Sequence, residues 1–158
     1  MRKLQSDDLR DLKGILNRLK KMEAFTPAEV ECALELLQIV LDQPDQQDYQ
    51  VLVADNEDRP AGYILYGPVP LTDGNFDIYW IATDPKFHGE GFGRQLMEAA
   101  ELDMQHQGAR MICLETSSQR SYLKTRNFYE KSGYRKESVI ADFYSPGDDR
   151  ITYIKRFS

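Results

Sequence analysis

The first quarter of the chain spaces its apolar residues every three or four positions, which predicts two helices. The first helix runs from Asp7 to about Lys21, with Ser6 as its N-cap. The second begins at "TPAE", where Thr26 is the cap, a proline takes the first helical position and Glu29 completes a capping box. Both helix starts therefore carry a local signal.

The second helix is apolar around much of its circumference. Eight apolar residues lie on one face and its flanks. Five are on the face (Val30, Ala33, Leu34, Leu37 and Leu41), and three widen it (Leu36, Ile39 and Val40). A surface this wide is typical of a helix that is covered on more than one side, by the core and by a ligand cleft or a second copy of the chain. The simpler alternative is a helix sunk deep in the core.

Beyond the polar stretch "DQPDQQD" the spacing changes to the period of two that β-strands show. Strands are predicted over Tyr49–Asp55 and Ala61–Gly67, joined by "NEDRP" as a hairpin, and over Asn75–Thr83. Strict alternation divides the third strand into two faces, with Phe76, Ile78 and Trp80 on one and Asp77, Tyr79, Ile81 and Thr83 on the other.

The second half of the chain alternates helices with strands. A helix is predicted to about Gln107, followed by the strand "ARMICLET", a helix from about Ser121 to Ser132, and a pair of strands around "SPGD". An antiparallel first half followed by alternation indicates a mixed α/β sheet with helices on both faces. A length of 158 residues fits a single domain over residues 1–158.

Charge and composition narrow the choice of partners. A net charge of -6 argues against a nucleic-acid partner, because phosphate contacts need a basic surface. The N-terminus lacks the apolar middle of a secretory signal, and no apolar run approaches the roughly 20 residues that span a bilayer, so we expect a cytoplasmic protein with no membrane partner. Cys32 and Cys113 lack the spacing of metal ligands, and we expect both to be reduced and buried, with no metal bound.

Three glycines, at positions 89, 91 and 93, lie between the third strand and the helix that follows it, in "FHGEGFGRQL". The first N–H groups of a helix have no helical partner and carry partial positive charge, so this start suits an anion such as pyrophosphate. The run is not a P-loop, since no Gly-Lys-Ser/Thr follows, and it lacks the dinucleotide G-x-G-x-x-G spacing. A purely structural turn remains the alternative.

Two stretches resemble a known family. "IATDPKFHGEGFGRQLMEAAE" resembles the acyl-CoA-binding motif Gln/Arg-x-x-Gly-x-Gly/Ala of the GNAT-type N-acetyltransferase superfamily, with Gly91 and Gly93 on its small positions and His88 on its first position. "NFYEKSGYRK" resembles the family's helix end x-Phe/Leu-Tyr-Glu-Lys-x-Gly-Phe/Tyr. The resemblance implies the acyl-CoA N-acyltransferase fold, of class α/β (α+β): a mixed, mainly antiparallel sheet of six or seven strands flanked by about four helices.

The resemblance also implies an activity. It predicts an enzyme that moves an acetyl group from acetyl-CoA to a primary amine of a small molecule or peptide, by direct attack in a ternary complex. Acetyl-CoA and the amine are then its partners, no metal is needed, and the apolar second helix is a candidate homodimer face. The alternative is a non-catalytic acyl-CoA-binding sensor or partner subunit of the same fold.

Residue by residue, the resemblance assigns Tyr129 as the acid that protonates the CoA sulfur. For the base, Asp77 is the first candidate, directly or through water, and Glu115 and Asp142 are its rivals on other strands. The expected cofactor-binding residues lie on the third strand, the glycine run and the helix after the fourth strand: Ile81, Ala82, Thr83, His88, Gly89, Glu90, Gly91, Phe92, Gly93, Arg94, Tyr122 and Thr125. Tyr122 stands where many relatives carry asparagine. Lys124 and Arg126 are weaker candidates for the 3'-phosphate.

Overall fold

Seven strands form one sheet in the order β1-β2-β3-β4-β5-β7-β6, and the structure, a computed structural model, describes all 158 residues. The strands are β1 (Arg2–Lys3), β2 (Gln50–Asn56), β3 (Arg59–Pro68), β4 (Asn75–Thr83), β5 (Met111–Ser117), β6 (Arg135–Ser145) and β7 (Asp148–Arg156). All neighbours are antiparallel except β4 and β5, which run parallel. The predicted mixed, mainly antiparallel sheet is confirmed.

Four helices flank the sheet on both faces, as expected: α1 (Asp8–Lys21), α2 (Pro27–Asp42), α3 (Phe92–His106) and α4 (Leu123–Lys131). One core joins α3 and α4 to the sheet, and a second core joins α1 and α2 to β2, β3 and β4. No residue of β5 or β7 belongs to this second core. On the α1–α2 side, the sheet is therefore covered only over its first half. None of the helices is both long and apolar enough to cross a bilayer.

Of the two predicted helix starts, that of α2 is confirmed and that of α1 is wrong. The capping box of α2 is confirmed, since the Thr26 hydroxyl accepts the Glu29 N–H at 3.1 Å and the Glu29 carboxylate accepts the Thr26 N–H at 2.7 Å. The predicted Ser6 cap of α1 is wrong, because the cap position falls on Asp7. The Asp8 carboxylate, which accepts the Gln5 N–H at 2.8 Å, ties the preceding residues to the first turn instead.

The apolar surface of α2 is only partly covered. Val30, Ala33 and Leu37 are buried, whereas Leu34, Leu36, Ile39, Val40 and Leu41 are half-buried. The helix is thus not sunk deep in the core. The expectation that Cys32 is buried is wrong, because this residue lies on the exposed side of the helix, and Cys113 is half-buried.

A β-bulge in the middle of β4 breaks the predicted alternation of faces. Across β3, Leu65 pairs with Trp80 but the next residue, Tyr66, pairs with Ile78, so Tyr79 is an extra residue on β4. Trp80 consequently packs in the α1–α2 core and Ile81 in the α3–α4 core, the reverse of the predicted assignment. An extra residue shifts the period-two pattern by one position and bends the strand.

Candidate active site

The sheet splits between its two parallel strands. Only three residues of β4, from Asn75 to Asp77, pair with β5, and the last of these faces Cys113. Beyond that point β4 continues for six residues along β3 while β5 continues along β7. We call the resulting opening the fork. Its two inner edges carry backbone groups with no partner strand, and such groups are a template for an added extended chain.

The direction of the backbone N–H groups along β4 shows which of them face the fork. The Asp84 N–H donates to the Ala61 carbonyl of β3 at 2.7 Å. Because N–H groups alternate in direction along a strand, the N–H of Ala82 also faces β3, and those of Ile81 and Thr83 point into the fork. Ala82 turns its side chain into the α1–α2 core. Ile81 and Thr83 therefore offer the free backbone groups, and Ala82 does not.

The glycine run leads from the end of β4 into α3. Gly89 and Gly91 adopt φ values of 88° and 87°, and Gly91 is the N-cap of the helix. These left-handed angles are strained for a residue with a Cβ. A Cβ on Gly93 would meet the Phe128 ring at 3.5 Å, which is ordinary contact. Backbone conformation thus explains two of the three glycines.

The run borders a hollow of about 320 Å³ at the helix start. Its lining includes most of the expected cofactor-binding residues of this region, namely Thr83, His88, Gly89, Gly91, Phe92, Gly93 and Arg94, together with Phe87 and Phe128. His88 and Glu90 are exposed. Unpaired N–H groups at a helix start suit an anion such as a diphosphate.

An adjoining groove of about 520 Å³ shares Arg94 and Phe128 with that hollow and runs between α3 and α4. Arg94 is itself held by Glu98, one turn further along α3, at 2.8 Å. Lys131 lines the groove, whereas Lys124 does not. The Arg126 guanidinium donates to the carbonyls of Ser117 and Gln119, both at 2.8 Å, and so it fixes the end of β5.

A partly buried ion pair anchors the entry to the glycine run. Asp84 is 4% exposed, and its carboxylate receives two hydrogen bonds from Arg18 of α1, at 2.7 and 3.1 Å. The same carboxylate accepts the Lys86 N–H at 3.1 Å and so fixes the short 3-10 turn Pro85–Phe87. No local pattern in the sequence predicts this contact, because the two charged residues lie 66 positions apart.

Tyr129 lies on α4 within the α3–α4 core, among the rings of Phe128, Tyr134 and Tyr153. That core also contains Ile78 and Leu114, the first residues of β4 and β5 beyond their last pair, so Tyr129 and the base of the fork share one core. Burial alone raises the pKa of the Tyr129 hydroxyl. The phenol therefore keeps its proton at neutral pH.

Asp77 sits at the last β4–β5 pair, on the face that α1 and α2 leave open. Burial raises the pKa of this half-buried carboxyl, the nearby Glu115 raises it further, and Arg150 lowers it in part. Burial also raises the pKa of the Cys113 thiol across the pair, with Asp77 adding to the effect. A carboxylate with a raised pKa is a better proton acceptor than an ordinary one.

The two rival carboxylates are engaged elsewhere. Glu115 is exposed and forms an ion pair with Arg150 at 2.7 Å. The carboxylate of Asp142 accepts the Gly147 N–H at 2.7 Å, which shapes the hairpin between β6 and β7. Of the three candidates, Asp77 alone has neither an ion pair nor a side-chain hydrogen bond, and it combines partial burial with a place at the fork.

Tyr122 precedes α4, in a 3-10 turn, and does not share that helix with Thr125 and Tyr129. Its hydroxyl donates to the Glu29 carboxylate of α2, with oxygen distances of 2.9 and 3.1 Å. Glu29 is recognisable in the sequence as a capping residue, but nothing local links it to Tyr122, which is 93 positions away.

Comparison with known proteins identifies the family and the fold. The family model described as an acetyltransferase (GNAT) domain matches residues 47–136. An uncharacterised N-acetyltransferase of Methanocaldococcus jannaschii is 30% identical over 105 residues, which are 66% of this chain and 64% of that protein, so the chain spans somewhat less than two thirds of this relative.

Solved structures share the architecture. A protein from Desulfovibrio desulfuricans assigned to the GNAT family superposes with a TM-score of 0.91 at 35% identity, over 99% of this chain and 96% of that one. An aminoglycoside 6'-N-acetyltransferase complexed with coenzyme A superposes with a TM-score of 0.74 at 16% identity, over 98% and 95% of the two chains. The family match covers more than half of the residues, including the glycine run and Tyr129, and the chain belongs to the GNAT family of acetyltransferases.

Proposed function

We propose that this protein is an acetyl-CoA-dependent N-acetyltransferase that acetylates a primary amine of a small molecule or peptide. The observation that carries the proposal is the fork, a free backbone edge that leads from an anion-suited helix start to a base candidate and an acid candidate. A non-catalytic acyl-CoA sensor would use the same edge and helix start, but it would need neither Asp77 nor Tyr129 at the base of the fork.

Different residues of this region would bind different parts of acetyl-CoA. The helix N-terminus at Gly91 suits the diphosphate, and the N–H groups of Ile81 and Thr83 suit the amide-bearing pantetheine arm. The groove between α3 and α4 would take the nucleoside end, with Lys131 as a cation for the 3'-phosphate in place of the expected Lys124 and Arg126. These assignments use backbone groups for most of the contacts.

The transfer step needs one base and one acid. A free alkylamine has a pKa of about 10 and must lose a proton before it attacks, which is the role of Asp77, directly or through water. The amine nitrogen then forms a bond to the thioester carbonyl carbon, the carbon–sulfur bond breaks, and Tyr129 supplies the proton that converts the departing thiolate to a thiol. The apolar surroundings that raise the pKa of Tyr129 also raise that of the sulfur.

Direct attack fits this chain better than a covalent route through its cysteine. Cys113 is half-buried, and the raised pKa of its thiol disfavours the thiolate that a nucleophile needs. Initial rates measured against both substrates should therefore give intersecting rather than parallel double-reciprocal lines.

The test is release of free CoA from acetyl-CoA in the presence of polyamines, amino acids and peptides. We expect at least one amine to raise release above background, and Tyr129→Phe to lower kcat by about 100-fold, as loss of a general acid does. Tyr153→Phe is the matched control, because its hydroxyl contacts only Glu130 at 3.2 Å on the same side of the core. Binding of acetyl-CoA without release with any amine would favour the sensor alternative instead.

A further inference from the structure

The hydrogen bond between Glu29 and Tyr122 joins the two halves of the split sheet. Glu29 belongs to α2, which packs on β2, β3 and β4, while Tyr122 follows β5. Within the sheet these halves are held together by only three residue pairs, at the base of the fork. We call the Glu29–Tyr122 contact the bridge. It connects the halves at a second place, away from the base.

Two neighbouring contacts hold the Glu29 end of the bridge, which lies towards β4. The Phe25 ring stacks edge-on against Trp80 of β4 with centroids 5.3 Å apart, so the loop before α2 lies over that strand. The Glu29 carboxylate is also tied to the Thr26 N–H by the capping box. One end of the bridge is therefore rigid, and the start of α2 must extend past β4 to reach Tyr122.

At its Tyr122 end, the bridge borders carboxylates on the sheet face that α1 and α2 leave open. Tyr144 of β6 is close enough to both Glu115 and Glu29 for their charges, after burial, to raise the pKa of its hydroxyl. Asp148 and Tyr144 act in the same way on Tyr122, after burial and Glu29. Tyr122 lies one short turn beyond β5, the strand that carries Glu115 and pairs with Asp77 of β4. The bridge thus stands at the edge of the surface that carries Asp77 and Glu115, where an amine must approach.

We propose that the Glu29–Tyr122 bridge is a specificity-determining contact that sets the width of the acceptor entrance to the fork. With the bridge formed, the entrance admits an amine on a slender, unbranched chain and excludes one carried directly on a bulky ring system. The inference rests on the proposed function only in taking the fork as the route of the acceptor.

The half-buried Cys113 thiol, at the base of the fork, reports on this entrance without any acetyl transfer. The chain has two cysteines, so Cys32→Ser leaves Cys113 as the sole thiol. In that background, the rates of modification by N-ethylmaleimide and by the bulkier N-(1-pyrenyl)maleimide are measured, and the ratio of bulky to small is compared between variants.

Tyr122→Phe removes the bridge and should raise that ratio about fivefold or more, as loss of a hydrogen bond to a charged group allows. Glu29→Ala removes the bridge together with the hydrogen bond from the Thr26 N–H, and adding Tyr122→Phe to it should raise the ratio no further, because the bridge is already absent. Thr26→Ala is the matched control, since it removes the hydroxyl that accepts the Glu29 N–H but spares the Glu29 carboxylate and the bridge, and its ratio should match the parent.

An unchanged ratio in Tyr122→Phe, or a ratio raised equally by Thr26→Ala, overturns the proposal. Equal acceleration of both reagents also overturns it, because that pattern reports general loosening rather than a wider entrance. If Tyr122→Phe does not fold, Glu29→Ala carries the same comparison. A changed ratio in a protein that releases no CoA would confirm the entrance and refute the transferase, so the two failures are distinguishable.

Discussion

The two sides of the fork present different chemical groups. On the glycine side the groups that we propose for binding are backbone N–H groups, set by left-handed angles at Gly89 and Gly91 and by the free edge of β4. On the open side they are charged side chains, above all Asp77, Glu115 and Arg150. The first side depends on backbone geometry and the second on electrostatics, so substitutions on the two sides should have separable effects.

The largest effect is expected on the open side. Asp77→Asn should lower kcat/KM with a responsive amine by about 100-fold or more, the usual contribution of a general base, while acetyl-CoA affinity stays the same. Asp73→Asn is the control, because its fully exposed carboxylate lies just before β4. CoA release is the measurement. A loss smaller than about threefold would assign the base to water or to another residue.

On the glycine side, Gly91→Ala should weaken acetyl-CoA binding by about tenfold or more, because a Cβ would occupy the space at the helix start and strain the left-handed backbone by roughly 1–2 kcal/mol. Gly108→Ala introduces the same strain at φ 90° but lies beyond the far end of α3. Thermal melts should show similar destabilisation of both variants. Calorimetric titration should show weaker binding in Gly91→Ala alone.

A smaller effect is expected from the one side-chain anchor on the glycine side. Arg18→Met leaves the buried Asp84 carboxylate without its cation, which should loosen the turn Pro85–Phe87 and weaken acetyl-CoA binding about threefold to fivefold. Adding Asp84→Asn removes the unpaired charge and should restore part of the melting temperature. If affinity does not fall in Arg18→Met, the turn is held by other contacts.

The pH dependence should distinguish the charges around Asp77. Rate depends on the ionised carboxylate, so activity falls as pH drops through its pKa. Glu115→Gln removes a charge that raises this pKa and should move the acid limb of kcat/KM to lower pH, whereas Arg150→Gln removes a charge that lowers it and should move the limb to higher pH. Shifts in the same direction would exclude Asp77 as the titrating group.

The smallest effect is expected at His88. This residue is exposed on the glycine run, and the diphosphate has backbone donors available, so His88→Gln should change acetyl-CoA affinity by less than about twofold. Titration of the two proteins side by side is the measurement. A tenfold change in affinity would mean that the His88 side chain contributes to acetyl-CoA binding on the glycine side, where we assign binding to backbone groups.

The sequence predicted the glycine side better than the open side. The glycine run, its helix and the capping box are local patterns, readable within a few residues. The Glu29–Tyr122 and Arg18–Asp84 contacts join positions 93 and 66 residues apart, and neither leaves a local trace. Period-two alternation predicts the wrong faces for β4 beyond Ile78, because it assumes a regular strand. The position of a bulge is set instead by pairing with the neighbouring strand.

That bulge has a consequence for how such a cleft can arise. Without Tyr79, β4 would alternate regularly, with Ile78 and Ile81 still on one face and Trp80 and Ala82 on the other. A chain one residue shorter could thus keep both cores but would lose the bend that follows the last β4–β5 pair. The opening of the fork then depends on one extra residue in β4, and deleting Tyr79 should close it without unfolding the protein.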